Sequence, residues 1–237
     1  MRRIAVLLVV LLAEGVWAWQ IGGTIGVDKF PISQMVQRGM SIDQELGMEY
    51  QGPEYGFSYG IKASRPWRNF LLSLKLEKLD HGKNTINWHG STPGMEINYQ
   101  GTTSFPAWSL SAALAYPLTK LGDWDLALQS GLSLLWSSVW LKRRGSYMIL
   151  DQEVVSITHG ATNGWGLGST NSLVLTKEFG SWHLAVETGY RLAHVRTRGT
   201  AYEEIEGEED SASEPRELKM DVDYDGPFLH LGLVYRR

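Results

Sequence analysis

The chain has 237 residues, no cysteine and a formal net charge of −4. These facts exclude a disulfide scaffold, thiol catalysis and a lipoprotein anchor, and they argue against a nucleic-acid partner. Ten Trp and ten Tyr in a chain that is 43% hydrophobic point instead to a surface where aromatic rings meet a lipid interface.

Arg2 and Arg3 precede an apolar run over residues 4–13, and Val16-Trp17-Ala18 follows with the small-residue pattern of a cleavage site. The segment 1–18 therefore reads as a secretory signal peptide, with the mature chain starting at Trp19. An apolar run of about ten residues is too short for a helix crossing the ~30 Å hydrocarbon core.

From Trp19 onward the apolar residues recur at every second position, the period of a strand with two unlike faces. Trp19, Ile21, Ile25 and Val27 oppose Gln20, Thr24 and Asp28. Ile42, Leu46, Met48 and Tyr50 form a second run. Its parity switches at Gly52-Pro53 to Tyr55, Phe57, Tyr59 and Ile61, which predicts a bulge in one long strand or a tight turn between two. A third strand carries Phe70, Leu72, Leu74 and Leu76, and a fourth ends in Trp108, Leu110, Ala112, Leu114 and Tyr116. The fifth returns from Trp124 to Trp140, the sixth includes Leu173 and Leu175, and the seventh runs from Trp182 to Leu192. The eighth carries Met220, Val222 and Tyr224, breaks parity at Gly226-Pro227, and closes with Leu229, Leu231, Leu233 and Tyr235.

Short turns near Arg65-Pro66, at 120–123 and at 179–181 alternate with longer polar segments at 31–38, 80–94, 148–163 and 199–216. That alternation is the pattern of periplasmic turns and extracellular loops. The fold expected is all-β: an antiparallel transmembrane β-barrel of about eight strands over residues 19–237, ten being the alternative. The acidic stretch 203–209 reads as a solvated loop tip, since it lacks the ligand order of a calcium loop.

On the parity facing away from lipid lie Glu45, Glu49, Lys62, Lys75, Glu77, Gln129, Glu187, Arg191 and His230. Both signs inside a narrow barrel predict a hydrogen-bonded ion-pair network filling the lumen, with a proton or ion path as the sharper alternative. A general porin does not fit eight strands. Asp80, His81, His89 and His159 fall in predicted loops and are the weak candidates for catalysis or a cross-loop metal site, though scattered loop histidines are the simpler reading. No metal site or cofactor is expected. Beyond the apolar part of the fifth and seventh strands the outward parity continues with Lys142 and Arg144, and with His194, Arg196 and Arg198.

Three places together resemble the omptins, outer-membrane barrel proteases: Asn98-Tyr99 opening the strand that leads to Pro117, Arg144-Gly145-Ser146-Tyr147, and Asn87-Trp88 followed by Ser91-Thr92-Pro93-Gly94. The resemblance implies a barrel with catalytic groups on extracellular loops, but omptins have two more strands than are counted here. It also implies Asp-x-Asp-Trp in the second loop, where this chain reads Thr85-Ile86-Asn87-Trp88, and a histidine in the opposing loop, where 197–216 has none. With both carboxylates and the base missing, water activation by that route has no agent, so a non-proteolytic barrel with ligand-binding extracellular loops is expected. The alternative is a divergent hydrolase, either an omptin-type protease or a lipid A-modifying enzyme; residues 159–163 resemble a lipid A deacylase neighbourhood without a clear serine. Similarity to omptins also implies lipopolysaccharide as a partner, with Lys142, Arg144, Arg196 and Arg198 at the height of lipid A phosphates.

Overall fold

The structure is a computed structural model that describes residues 19–29, 49–51, 54–92, 95–149, 152–206 and 214–236. The signal-peptide reading of 1–18, the predicted loop 31–38 and Glu45 lie outside the described residues. The strands are β1 (Gln20–Lys29), β2 (Glu49–Gln51), β3 (Tyr55–Trp67), β4 (Phe70–Asp80), β5 (Lys83–Thr92) and β6 (Met95–Ser104). They continue as β7 (Ala107–Leu121), β8 (Trp124–Ile149), β9 (Gln152–Phe179), β10 (Trp182–Ile205), β11 (Arg216–Asp223) and β12 (Gly226–Tyr235).

Eight of these close a ring in chain order, β1-β3-β4-β7-β8-β9-β10-β12 and back to β1, with every neighbour antiparallel. Closure pairs the backbone groups of the ring internally, which is what allows strands to cross lipid. The alternation read from sequence sets the two faces. Along β12 buried and exposed residues alternate without a break, so Leu229, Leu231, Leu233 and Tyr235 point outward while Phe228, His230 and Val234 point into the lumen.

The remaining strands continue the wall above the ring. β5 and β6 form a hairpin that carries β4 and β7 upward, with β6 pairing the upper part of β8. β2 pairs β5 and precedes β3 in the same direction. Gln51 at the end of β2 faces Thr85, and Phe57 near the start of β3 faces Asp80. β11 extends β12 along β10.

Three sequence-based boundaries are corrected. The first short turn is at Arg68-Asn69, where Arg68 takes a positive φ of 57°, and Arg65 and Pro66 belong to β3. The stretches 80–94 and 148–163 are mostly strand, and β10 runs through Ile205 before β11 resumes at Arg216. Their polar composition suggested loops, yet above the membrane a strand can expose polar side chains outward and still pair its backbone. Glu49, expected in the lumen, is on β2 beside β5, in the sheet above the ring.

Candidate functional site

The outer surface of the ring carries exposed Ile25, Ile61, Leu110, Leu114, Leu128, Leu132, Leu173 and Leu231. Trp108, Trp136 and Trp165 are direct neighbours across β7, β8 and β9, and Arg196 of β10 comes next in the same row. A second aromatic level lies near the short turns, with Trp67, Phe70, Tyr116, Phe179, Trp182 and Tyr235. At ~3.4 Å per residue and a tilt of about 45°, the climb from Trp124 to Trp136 is roughly 30 Å, the thickness of a hydrocarbon core. Two aromatic girdles around an apolar band on a closed antiparallel barrel define an integral outer-membrane protein. By the same rule the short turns face the periplasm and the long extensions face outward.

Inside, the ring is filled at mid-height by a connected set of charges. Arg191 of β10 donates to Glu77 of β4 at 2.5 Å and lies 3.3 Å from Asp28 of β1. Lys75 meets Glu77 at 2.6 Å and donates to His230 Nδ1 at 2.8 Å. An ammonium cannot accept, so Nδ1 bears the lone pair and Nε2 carries the proton. That proton faces Ser58 Oγ at 3.0 Å and Asp28 Oδ1 at 3.3 Å. On the far side Glu187 accepts from Gln129 at 2.7 Å and Ser172 at 2.9 Å, with Lys62 at 3.8 Å. Three carboxylates, Asp28, Glu77 and Glu187, thus face three basic side chains, Lys62, Lys75 and Arg191, which is what burial of so many charges requires.

Lys62, Lys75, Glu77, Gln129, Glu187, Arg191 and His230 therefore sit together in the lumen. Asp28, on the polar face of β1, completes this set, and parity is the one sequence signal that points to it. The void within the network measures about 20 Å³, room for about one water. Above it Leu79, Phe105, Leu135, Val139, Val195, Met220, Val222 and Tyr224 form a buried apolar layer. Tyr224 is held there by hydrogen bonds to Ser137 and to the Phe105 carbonyl. The lumen is packed at both levels.

The four weak catalytic candidates are dispersed. His81, in the connection after β4, is buried against the ring of Tyr224 at 5.2 Å. Asp80 is exposed and accepts from the Gly82 amide at 3.1 Å. His89 is exposed on β5 and bonds Asn98 at 2.6 Å. His159 is exposed on β9, between Lys142 and Tyr202 in register. Thr85 and Asn87, at the position of the omptin carboxylates, are exposed on β5, opposite in parity to buried Asn84 and Ile86. Among the described residues no group of three or more metal-ligating side chains is found.

The basic residues expected at the rim are all exposed. Arg144 pairs with Glu206 at 3.3 Å and Arg196 lies 3.8 Å from Asp221. Lys142 and Arg198 project from the same outer wall, two strands apart.

No protein-family model matches the chain, and no curated protein does. Among solved structures it is similar to Neisserial surface protein A, at 13% identity and a TM-score of 0.41, covering 93% of this chain and 97% of that one. It is also similar to a major outer membrane protein from Thermus thermophilus, at 14% identity and a TM-score of 0.44, covering 93% and 100%. The outer membrane protease OmpT from Escherichia coli aligns at 10% identity with a TM-score of 0.34, covering 92% and 96%.

Proposed function

We propose that this chain is a sealed, non-proteolytic outer-membrane barrel of distantly omptin-like design, anchored laterally to lipopolysaccharide and presenting its raised sheet to an extracellular ligand. The observation that carries the lipid contact is the row Trp108-Trp136-Trp165-Arg196, in which aromatic interface residues give way to a cation at one height. Arg198 lies two residues further along β10, and Lys142 and Arg144 rise on β8. Guanidinium groups suit phosphate because they offer paired, charge-assisted donors. The dispersal of Asp80, His81, His89 and His159, and the exposed outward placement of Thr85 and Asn87, support the non-proteolytic reading.

Because Glu206 and Asp221 already engage Arg144 and Arg196, Lys142 and Arg198 carry the larger share of the contact. Replacing Lys142, Arg144, Arg196 and Arg198 together by Gln should weaken lipopolysaccharide binding to the detergent-folded barrel by at least about tenfold. Surface plasmon resonance on the folded protein measures this. Unchanged affinity in a folded quadruple variant refutes the contact.

A further inference from the structure

The periplasmic third of the lumen differs from the rest. Interiors of eight-stranded barrels are ordinarily filled by side chains, but here Ala115, Ala127, Ala185 and Ser64 stand where bulk is needed, and they line a cavity of about 430 Å³. We infer that this cavity is a binding site for a compact organic carboxylate with an apolar body, taken up from the periplasmic side.

The deep end sets the charge. Lys62 is 7% exposed, lines the cavity, and touches the network only through long contacts: Gln129 Oε1 at 3.4 Å and Glu187 Oε2 at 3.8 Å. Glu187 is served at shorter range by Gln129 and Ser172. An ammonium has three donors, so Lys62 retains donor capacity for an anion above the cavity floor while sharing its charge with Glu187. Arg68, Asp125, Glu178 and Arg236 line the mouth, where Arg236 lies 3.9 Å from Glu178 and Asp125 pairs with Lys120. Lys62 is the lining cation whose nearest carboxylate, Glu187, lies outside the lining.

The walls set the rest of the ligand. Leu71, Ala115, Ala127, Val174 and Val234 offer apolar contact along the barrel. Ser64, Gln129, Thr176 and His183 add polar groups to these walls, and a phosphate would require more donors than one ammonium at the deep end supplies. One buried cation above apolar walls fits a monocarboxylate whose ring or short chain lies against the alanines. This inference is independent of the lipopolysaccharide contact, which is on the opposite face of the wall.

The test uses the full barrel in lipid nanodiscs and titrates 4-fluorobenzoate, followed by fluorine NMR. Saturable binding is expected with a dissociation constant on the order of 1 mM, as for other small fragments. The neutral 4-fluorobenzamide should bind at least about fivefold more weakly, and Lys62→Gln should weaken 4-fluorobenzoate at least about tenfold. Ala127→Leu fills the cavity while keeping every charge, and should abolish saturation even if Lys62→Gln fails to fold. Absence of saturable binding to the folded wild type overturns the site. So does equal affinity for the amide, or retention of binding in folded Ala127→Leu.

Discussion

His81 shows how one side chain couples the extracellular sheet to the barrel below it. It lies beyond the end of β4, buried against Tyr224, and burial together with nearby Arg191 pushes its pKa down from 6.5 to about 4, against the opposite pull of Asp28 and Asp80. The folded state thus holds the neutral ring, whereas the unfolded chain takes up a proton near pH 6.5. Stability from this residue is complete above that pH and is lost as the pH falls from about 6.5 to 4, by up to about 3 kcal/mol. Equilibrium urea unfolding at pH 7.5 and pH 4.5 should show the loss in wild type and a smaller one in His81→Gln. Equal acid sensitivity in the two proteins removes His81 as the cause. Gly56 belongs to the same arrangement, since a β-carbon there would collide with the His81 ring.

At the scale of the strand, periodicity carried most of the information. Alternation along β12, β7 and the lower half of β8 sorted lipid-facing from lumen-facing residues directly, and it also located Lys62, Lys75, Glu77, Glu187, Arg191 and His230 on the inner face. It could not say that Arg191 would bridge Glu77 and Asp28, because those partners are set by the order and shear of strands distant in the chain. Composition misled where strands leave the membrane: β5, the first part of β9 and the upper end of β10 look like loops because water replaces lipid on their outer face. The dispersal of His81, His89 and His159 was equally hidden, since it depends on which strands pair above the ring. The membrane face makes a quantitative test. Leu231 is exposed on β12 between Leu229 and Leu233, and Leu231→Arg should cost roughly 2 to 4 kcal/mol near the midplane. Denaturant titration of folded protein in lipid vesicles measures it, and a cost below about 0.5 kcal/mol would place Leu231 outside the bilayer.

Among the described residues the whole molecule is a wall without a pore. A balanced charge network at mid-height and an apolar layer above it interrupt the lumen in series, so the periplasmic cavity is a dead end rather than a vestibule to a channel. Purified protein in planar bilayers should give no stepwise conductance in 1 M KCl. A reproducible unit conductance that disappears on denaturation would mean that the network opens. The raised sheet continues the wall outward, with β8, β9 and β10 of 26, 28 and 24 residues, and this carries its outer rim far from the lipid.

The ring also fixes an order of assembly. β8 and β9 pair from Ile149 with Gln152 downward, so their hairpin zips from neighbours in sequence, whereas the seam joins Asp28 to Phe228 across nearly the full chain. Loop closure costs about 0.6 kcal/mol per doubling of length, so sealing that seam carries roughly 4 kcal/mol more entropy than starting the hairpin. High contact order at one joint makes closure slow. Until β1 meets β12, both strands expose unpaired edges, and Asp28 and His230, one on each strand, remain apart. The seam is therefore the slowest joint, and the contact of His230 with Asp28 forms only when it shuts.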